Sequence, residues 1–270
     1  MTELSENCVK CIGRDIWAKD ISEVWRLEKT PPEIWYLKNQ EEFEKRYRDF
    51  LSKIPEVTSI NFDKNIRTHV ATYINFNTLK EYHDPIVVIT EEGISQHEKK
   101  IGNRDMTFLF ELVHELDERA LLKVNPKLCY GITTAQRKIF RDAYTSGELD
   151  VEGLVDLGIT ESIRHSFVNE ADIEVLNRRG VDGRKVIMDF YDACVEEDRQ
   201  KHPNKNFSLE TISGNTINDI LTREIIANSE TSVKDLRKRA ESRKLELTDE
   251  EYDRYQSVLI SCIKKMGYQF

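Results

Sequence analysis

A chain of 270 residues, 39% apolar and 33% charged with only 11 Gly and 6 Pro, can bury a substantial core and is neither disordered nor of low complexity by composition. Its formal net charge of -9 opposes polyanions, so contact with nucleic acid or an acidic membrane requires a local basic patch. The longest stretch without a charged side chain, Thr68 to Leu79, is rich in Thr and Asn and cannot span a membrane; no secretory signal is read at the N-terminus, and five cysteines, an odd set, point to reduced thiols and a cytoplasmic location.

Arg14 to Ile54 has helical spacing and holds all three tryptophans. Trp17, Ile21, Val24 and Trp25 recur on one face. Thr30-Pro31-Pro32-Glu33 then offers a cap, a first-turn proline and a capping-box acid for a longer helix. That helix carries the stripe Phe43, Tyr47, Phe50, Leu51 and Ile54, and Pro55 ends it. From Val57 the period shortens to 2. Ile60 and Phe62, then Val70, Thr72, Ile74 and Phe76, read as two strands joined through Asp63-Lys64-Asn65, and Ile86-Val87-Val88-Ile89 as a third. A roughly three-stranded sheet over 57–90 is predicted.

Beyond Gly102 every segment reads as helix. Asn103 to Val124 is one helix with Met106, Leu109, Val113, Leu116 and Ala120 on its buried side. Stop and start signals then crowd together. Gly147, Gly158 and Gly180 can end helices, and Asp150, Thr160, Asn169 and Asp182 can begin them, which predicts an array of short capped helices. Asp182 to Lys201 is a longer helix, His202 to Ser208 a polar linker, and helices follow near 216–228, 233–243 and 249–266. The fold class is therefore α+β and predominantly α-helical. Three parts are expected: an N-terminal α+β domain over 1–125, the short-helix array over 126–201, and a C-terminal helical subdomain over 208–270 with a winged-helix-like pattern.

Several constellations have the residue types of a functional site. Cys8 and Cys11, followed by Gly13, form half of a zinc knuckle whose second half is missing, so two free thiols on an N-terminal tail and no cofactor are expected, with zinc at this pair as the alternative. Glu111, His114, Glu115 and Glu118 lie at i, i+3, i+4 and i+7 of one helix, and Glu-x-x-His is the ligand pair of di-iron bundles, although no second copy occurs. A metal-dependent enzyme built on 111–118 is one alternative; the contrary expectation is that these glutamates make a solvated face. Asp117 falls near the apolar side, where an acid needs a partner. Residues 142–153 scan against a calcium loop but place Tyr144 and Gly153 where ligands belong.

Two segments read as helix-turn-helix units. In 150–168 the turn would be Gly158-Ile159, with Arg164 and His165 on the recognition helix. In 216–270 the basic cluster Lys234, Arg237, Lys238, Arg239, Arg243 and Lys244 would face nucleic acid, although ten Lys or Arg there are balanced by ten Asp or Glu. Ile163-Arg164-His165-Ser166-Phe167 with Gly180-Val181-Asp182 resembles a fragment of the Arg-His box of tyrosine recombinases, but Glu161 stands where that box has its first His, and no recombinase activity is inferred. Gly-x-x-x-x-Gly-Lys, Gly-x-Gly-x-x-Gly, His-Glu-x-x-His and Gly-x-Ser-x-Gly do not occur. The residues point foremost to a non-catalytic regulatory or adaptor protein that binds a protein partner or its own copies. Trp17, Trp25, Trp35 and Tyr36 are its candidate anchors, and DNA is the alternative partner.

Overall fold

The structure is a computed structural model; it describes residues 4–51, 69–75, 80–124, 151–201 and 214–228, and single helical positions at 250, 253, 257 and 261. The chain is predominantly α-helical with a small sheet, an α+β fold. It divides into two compact units, the first formed by 1–124 with 174–181 and the second by 125–173 with 182–270.

In the first unit, α1 (Glu6–Ile16) starts where the Ser5 side chain accepts from the Cys8 N–H. It runs through a π-helical turn (Trp17–Ile21) into α2 (Ser22–Trp25), which Arg26 stops in the left-handed conformation. A strand follows where the sequence predicts helix. Two consecutive prolines favour extended backbone, and Ile34-Trp35-Tyr36-Leu37 are β-forming residues that are all buried, so β1 (Ile34–Leu37) forms there. Glu33, expected in a capping box, instead accepts from the Trp35 indole at 2.6 Å. The helix begins later, as α3 (Gln40–Leu51), after Asn39 accepts the Glu42 N–H.

β2 (His69–Asn75) covers the second predicted strand up to Asn75 and β3 (Lys80–Thr90) contains the third; Phe76, the first predicted strand over 57–62 and the turn after it lie outside the described residues. The sheet has the order β1-β3-β2, with β1 parallel to β3 and β2 antiparallel to it. Trp35, Leu37, Phe43, Tyr47, Ile86 and Val88 form a core cluster between β1, β3 and α3. Aromatic packing reinforces it: Phe43 and Tyr47 stack at 5.1 Å, and the Arg46 guanidinium lies 4.4 Å from the Trp35 ring centre.

α4 (Glu91–Ile101) is capped by Thr90 and stopped by Gly102 with φ 76°. α5 (Arg104–Val124) starts on Asn103 as predicted, its side chain accepting the Met106 N–H at 2.9 Å. α5 packs against α1, the π turn, α2, α4 and the sheet, so little of its circumference meets water.

α6 (Val151–Arg178) overturns the predicted short-helix array over its length. It is 28 residues long and passes through Gly158, Thr160 and Asn169 without a break. A glycine inside a helix costs only about 1 kcal/mol relative to alanine, and a cap residue acts as one only where the chain enters a helix. Asn169 instead donates back to the His165 carbonyl four residues earlier, as an interior residue can. The predicted stop at Gly180 and start at Asp182 hold. Gly180 has φ 79°, the Val181 N–H reaches the Leu176 carbonyl, and the Asp182 side chain accepts from Lys185 at the start of α7 (Gly183–Lys201). α8 (Gly214–Asn228) packs on α7 in the second unit.

Candidate functional site

The acid-rich turns of α5 are the strongest candidate for chemistry, and their surroundings differ from those expected. Glu111 and Glu115 are 2% and 3% exposed, and Asp117 and Arg119 are buried with them; only His114 and Glu118 are half-buried. The expected solvated face is therefore absent over Glu111 and Glu115. The reason lies in the tertiary packing, because α4 and the N-terminal helices cover a side that helical spacing alone leaves open.

Each buried acid with an identified partner is held by another element. Glu111 is paired with Nδ1 of His97 on α4. The Trp25 indole donates to Asp117 at 2.5 Å, so the acid predicted to need a partner has one from α2. At the outer end of the α4–α5 hairpin, Arg104 bridges Glu91 and Glu98, and the Tyr36 hydroxyl donates to Glu91. Partial burial works against the Arg104 charge, but Glu98 and Glu91 outweigh it and raise the guanidinium above its ordinary pKa.

Phe110 carries a signal that Glu-x-x-His spacing alone does not show. Phe110-Glu111-Leu112-Val113-His114 has the register of the His-Glu-x-x-His zinc-hydrolase helix, with a phenyl ring where the first imidazole would coordinate. That ring lies 5.8 Å from the His114 ring centre to centre. Glu111, His114 and Glu118 lie on one helix, and among the described residues no three of His, Cys, Asp and Glu form a group that could hold a metal ion.

Trp17, Trp25 and Trp35 are buried, and Tyr36 is at the limit of burial, 9% exposed, so these candidate anchors are part of the core. Trp17 donates to the Glu28 carbonyl at 3.0 Å, as a buried indole requires. Cys8 and Cys11 are exposed free thiols on consecutive turns of α1. Gly13, expected to turn the chain around a metal, is a buried helical residue that leaves space for Ile34.

In the second unit the helix-turn-helix predicted over 150–168 is overturned by the continuity of α6, which leaves no turn at Gly158-Ile159. Arg164 lies on this helix, and His165 is half-buried. Lys234, Arg237, Lys238, Arg239, Arg243 and Lys244, and positions 142–150 of the calcium-loop pattern, lie outside the described residues, as does most of the segment after 228. No helix among the described residues is long and apolar enough to cross a membrane. In comparisons with protein families, curated proteins and solved structures, nothing matches this chain.

Proposed function

We propose that this chain is a non-catalytic regulatory or adaptor protein that works by holding a macromolecular partner, another protein or further copies of itself. The observation that carries the reading is the state of α5. Its one Glu-x-x-His pair has Phe110 in the leading position, and Glu111 is tied to His97 inside the fold. Asp117 is similarly used to fasten α2. Groups with these roles organise a scaffold, and a scaffold acts through the surface it presents.

The test is to purify the tagged full chain under native conditions and to determine its assembly by light scattering and native mass spectrometry, with elemental analysis on the same sample. The expected result is an assembly of fixed stoichiometry that His114→Ala leaves intact. A monomer with a bound transition metal that is lost in His114→Ala, at unchanged helicity, would overturn the proposal in favour of metal-dependent catalysis on α5.

A further inference from the structure

α1 turns Val9, Gly13 and Ile16 into the core and leaves Cys8 and Cys11 exposed, each as a free thiol. The two are spaced i, i+3 on one helix, so they are neighbours on consecutive turns of its outer surface, with β-carbons about 5–6 Å apart.

That spacing decides what the pair can grip. A disulfide holds its β-carbons about 3.5–4.5 Å apart, so closing one here would draw two turns of α1 together by about 1 Å or more. Two thiolates bound tetrahedrally to one zinc ion, each about 2.3 Å from it, keep their sulfurs about 3.8 Å apart, which side chains on adjacent turns reach without moving the backbone. The pair thus suits a bridging thiophilic ion better than a direct sulfur–sulfur bond. Its surroundings favour the negative charge of such a site. Arg14, exposed and one turn beyond Cys11, adds a cation to this surface. Asp15, which also follows Cys11 by one turn, has Lys19 at 2.5 Å and Arg179 at 3.2 Å as its own counter-ions.

A structural zinc site takes four ligands, and this pair fills two. Among the described residues no third His, Cys, Asp or Glu joins them. Cys194 is buried, and Cys129 and Cys262 stand singly in the sequence, so none of them offers a second ready-made pair. A two-fold axis does: it repeats Cys8 and Cys11 with their spacing intact and sets two exposed helix surfaces against each other.

Building on the reading that the chain assembles with further copies of itself, we propose that two copies share one zinc ion through Cys8 and Cys11 of each. Binding exchanges four S–H protons, released to solvent, for four Zn–S bonds, with no change of oxidation state. The site lies apart from the acids of α5 and uses none of them.

Cobalt(II) and zinc(II) titrations of the full chain, made metal-free and kept under a phosphine reductant, test it. Cobalt should develop the charge-transfer absorption of thiolate ligation with an end point of one ion per two chains, and zinc should displace it. Native mass spectrometry should show a zinc-dependent dimer that a chelator returns to monomer. Cys8→Ser and Cys11→Ser, both at exposed positions, should each lose the absorption and the dimer at unchanged helicity, while Cys129→Ser and Cys262→Ser should keep both. An end point of one ion per chain in a monomer, or absorption lost in folded Cys129→Ser or Cys262→Ser, would place the other ligands within one chain and overturn the proposal. An assembly that persists under chelator and in Cys8→Ser also overturns it but leaves self-association standing, whereas a monomer without thiolate absorption at any cobalt concentration removes both.

Discussion

Asp117 illustrates how one residue can join two distant parts of the sequence. It is fully buried on α5, and its partner Trp25 lies 92 positions earlier on α2. A hydrogen bond to a charged group is worth about 1.5–3 kcal/mol, more than an ordinary one, and losing the donor removes one of the interactions that hold this carboxylate in the core. Trp25→Phe and Asp117→Ala should therefore be non-additive, with a coupling energy of about 1.5 kcal/mol or more by urea denaturation of the single and double variants; strict additivity would show the contact to be energetically idle. Glu6 gives a milder, pH-dependent case. Partial burial pushes its carboxyl up, but Lys10 and Arg46, each at 2.9 Å, outweigh this and hold it below the usual carboxylate value. Its contribution is thus fully present above the unfolded-state pKa and is lost as pH falls through the lowered folded-state value. With a third of the side chain exposed, solvent screening limits Glu6→Gln to about 0.5 kcal/mol at neutral pH. Melting curves of the two proteins should converge in acid, and a gap that persisted there would assign the effect to packing instead. At this scale the sequence showed that Asp117 needs a partner. Which partner, and that Glu111 and Glu115 are covered as well, depends on elements far away in the chain, which periodicity cannot register.

Local signals governed some elements and lost to packing in others. Asn103, Gly102, Gly180 and Asp182 act as read from the sequence, because each satisfies or releases backbone groups by its own chemistry. Gly158 has the same chemistry and does not end α6, since a stop also requires the chain to leave the helix. The strand at Ile34–Leu37 shows the reverse: Thr30 and Glu33 match a capping box, but pairing with Val87–Thr90 and burial of four consecutive side chains favour extended backbone. Two glycines separate local from tertiary constraint experimentally. Gly180 is held at φ 79° with open space around its α-carbon, so Gly180→Ala should cost about 1 kcal/mol through backbone strain alone. Gly13 is helical, and there alanine gains up to about 1 kcal/mol of propensity, but the new methyl would meet the Ile34 δ-methyl. Overpacking a core costs about 1–3 kcal/mol, so Gly13→Ala should be net destabilising, and Ile34→Val, which removes that methyl, should turn the effect toward stabilisation. Thermal denaturation of the four proteins decides it: equal effects of Gly13→Ala in both backgrounds would mean that Ile34 is not the obstacle.

The first unit is not continuous in sequence, since residues 174–181 belong to it together with 1–124. An ionic clamp on the α1–π-turn segment accompanies this arrangement. Arg179 donates from Nε at 2.9 Å and from Nη2 at 2.5 Å to Asp20, and from Nη2 to Asp15 at 3.2 Å. Closing contacts across more than 150 residues has an entropic cost that local elements avoid, and the clamp adds to the packing that offsets it. Asp20 is buried, and without Arg179 its carboxylate would lose a two-point, charge-assisted partner. Arg179→Ala should therefore destabilise the full chain by about 1–3 kcal/mol, between the values for exposed and fully buried pairs. Arg179→Lys restores the charge but not the planar fork that meets Asp20 through two nitrogens, so it should recover only part of the loss. Neighbouring Arg178 pairs with Glu23, whose side chain is 69% exposed, and Glu23→Ala should change stability by about 0.5 kcal/mol or less. Urea denaturation followed by tryptophan fluorescence can rank the variants, because Trp17 and Trp25 lie in and beside the clamped segment. The expected order of stability is wild type close to Glu23→Ala, then Arg179→Lys, then Arg179→Ala. Full recovery by lysine would reduce the clamp to simple charge neutralisation, and no loss in Arg179→Ala would mean that apolar packing alone holds 174–181 to the unit.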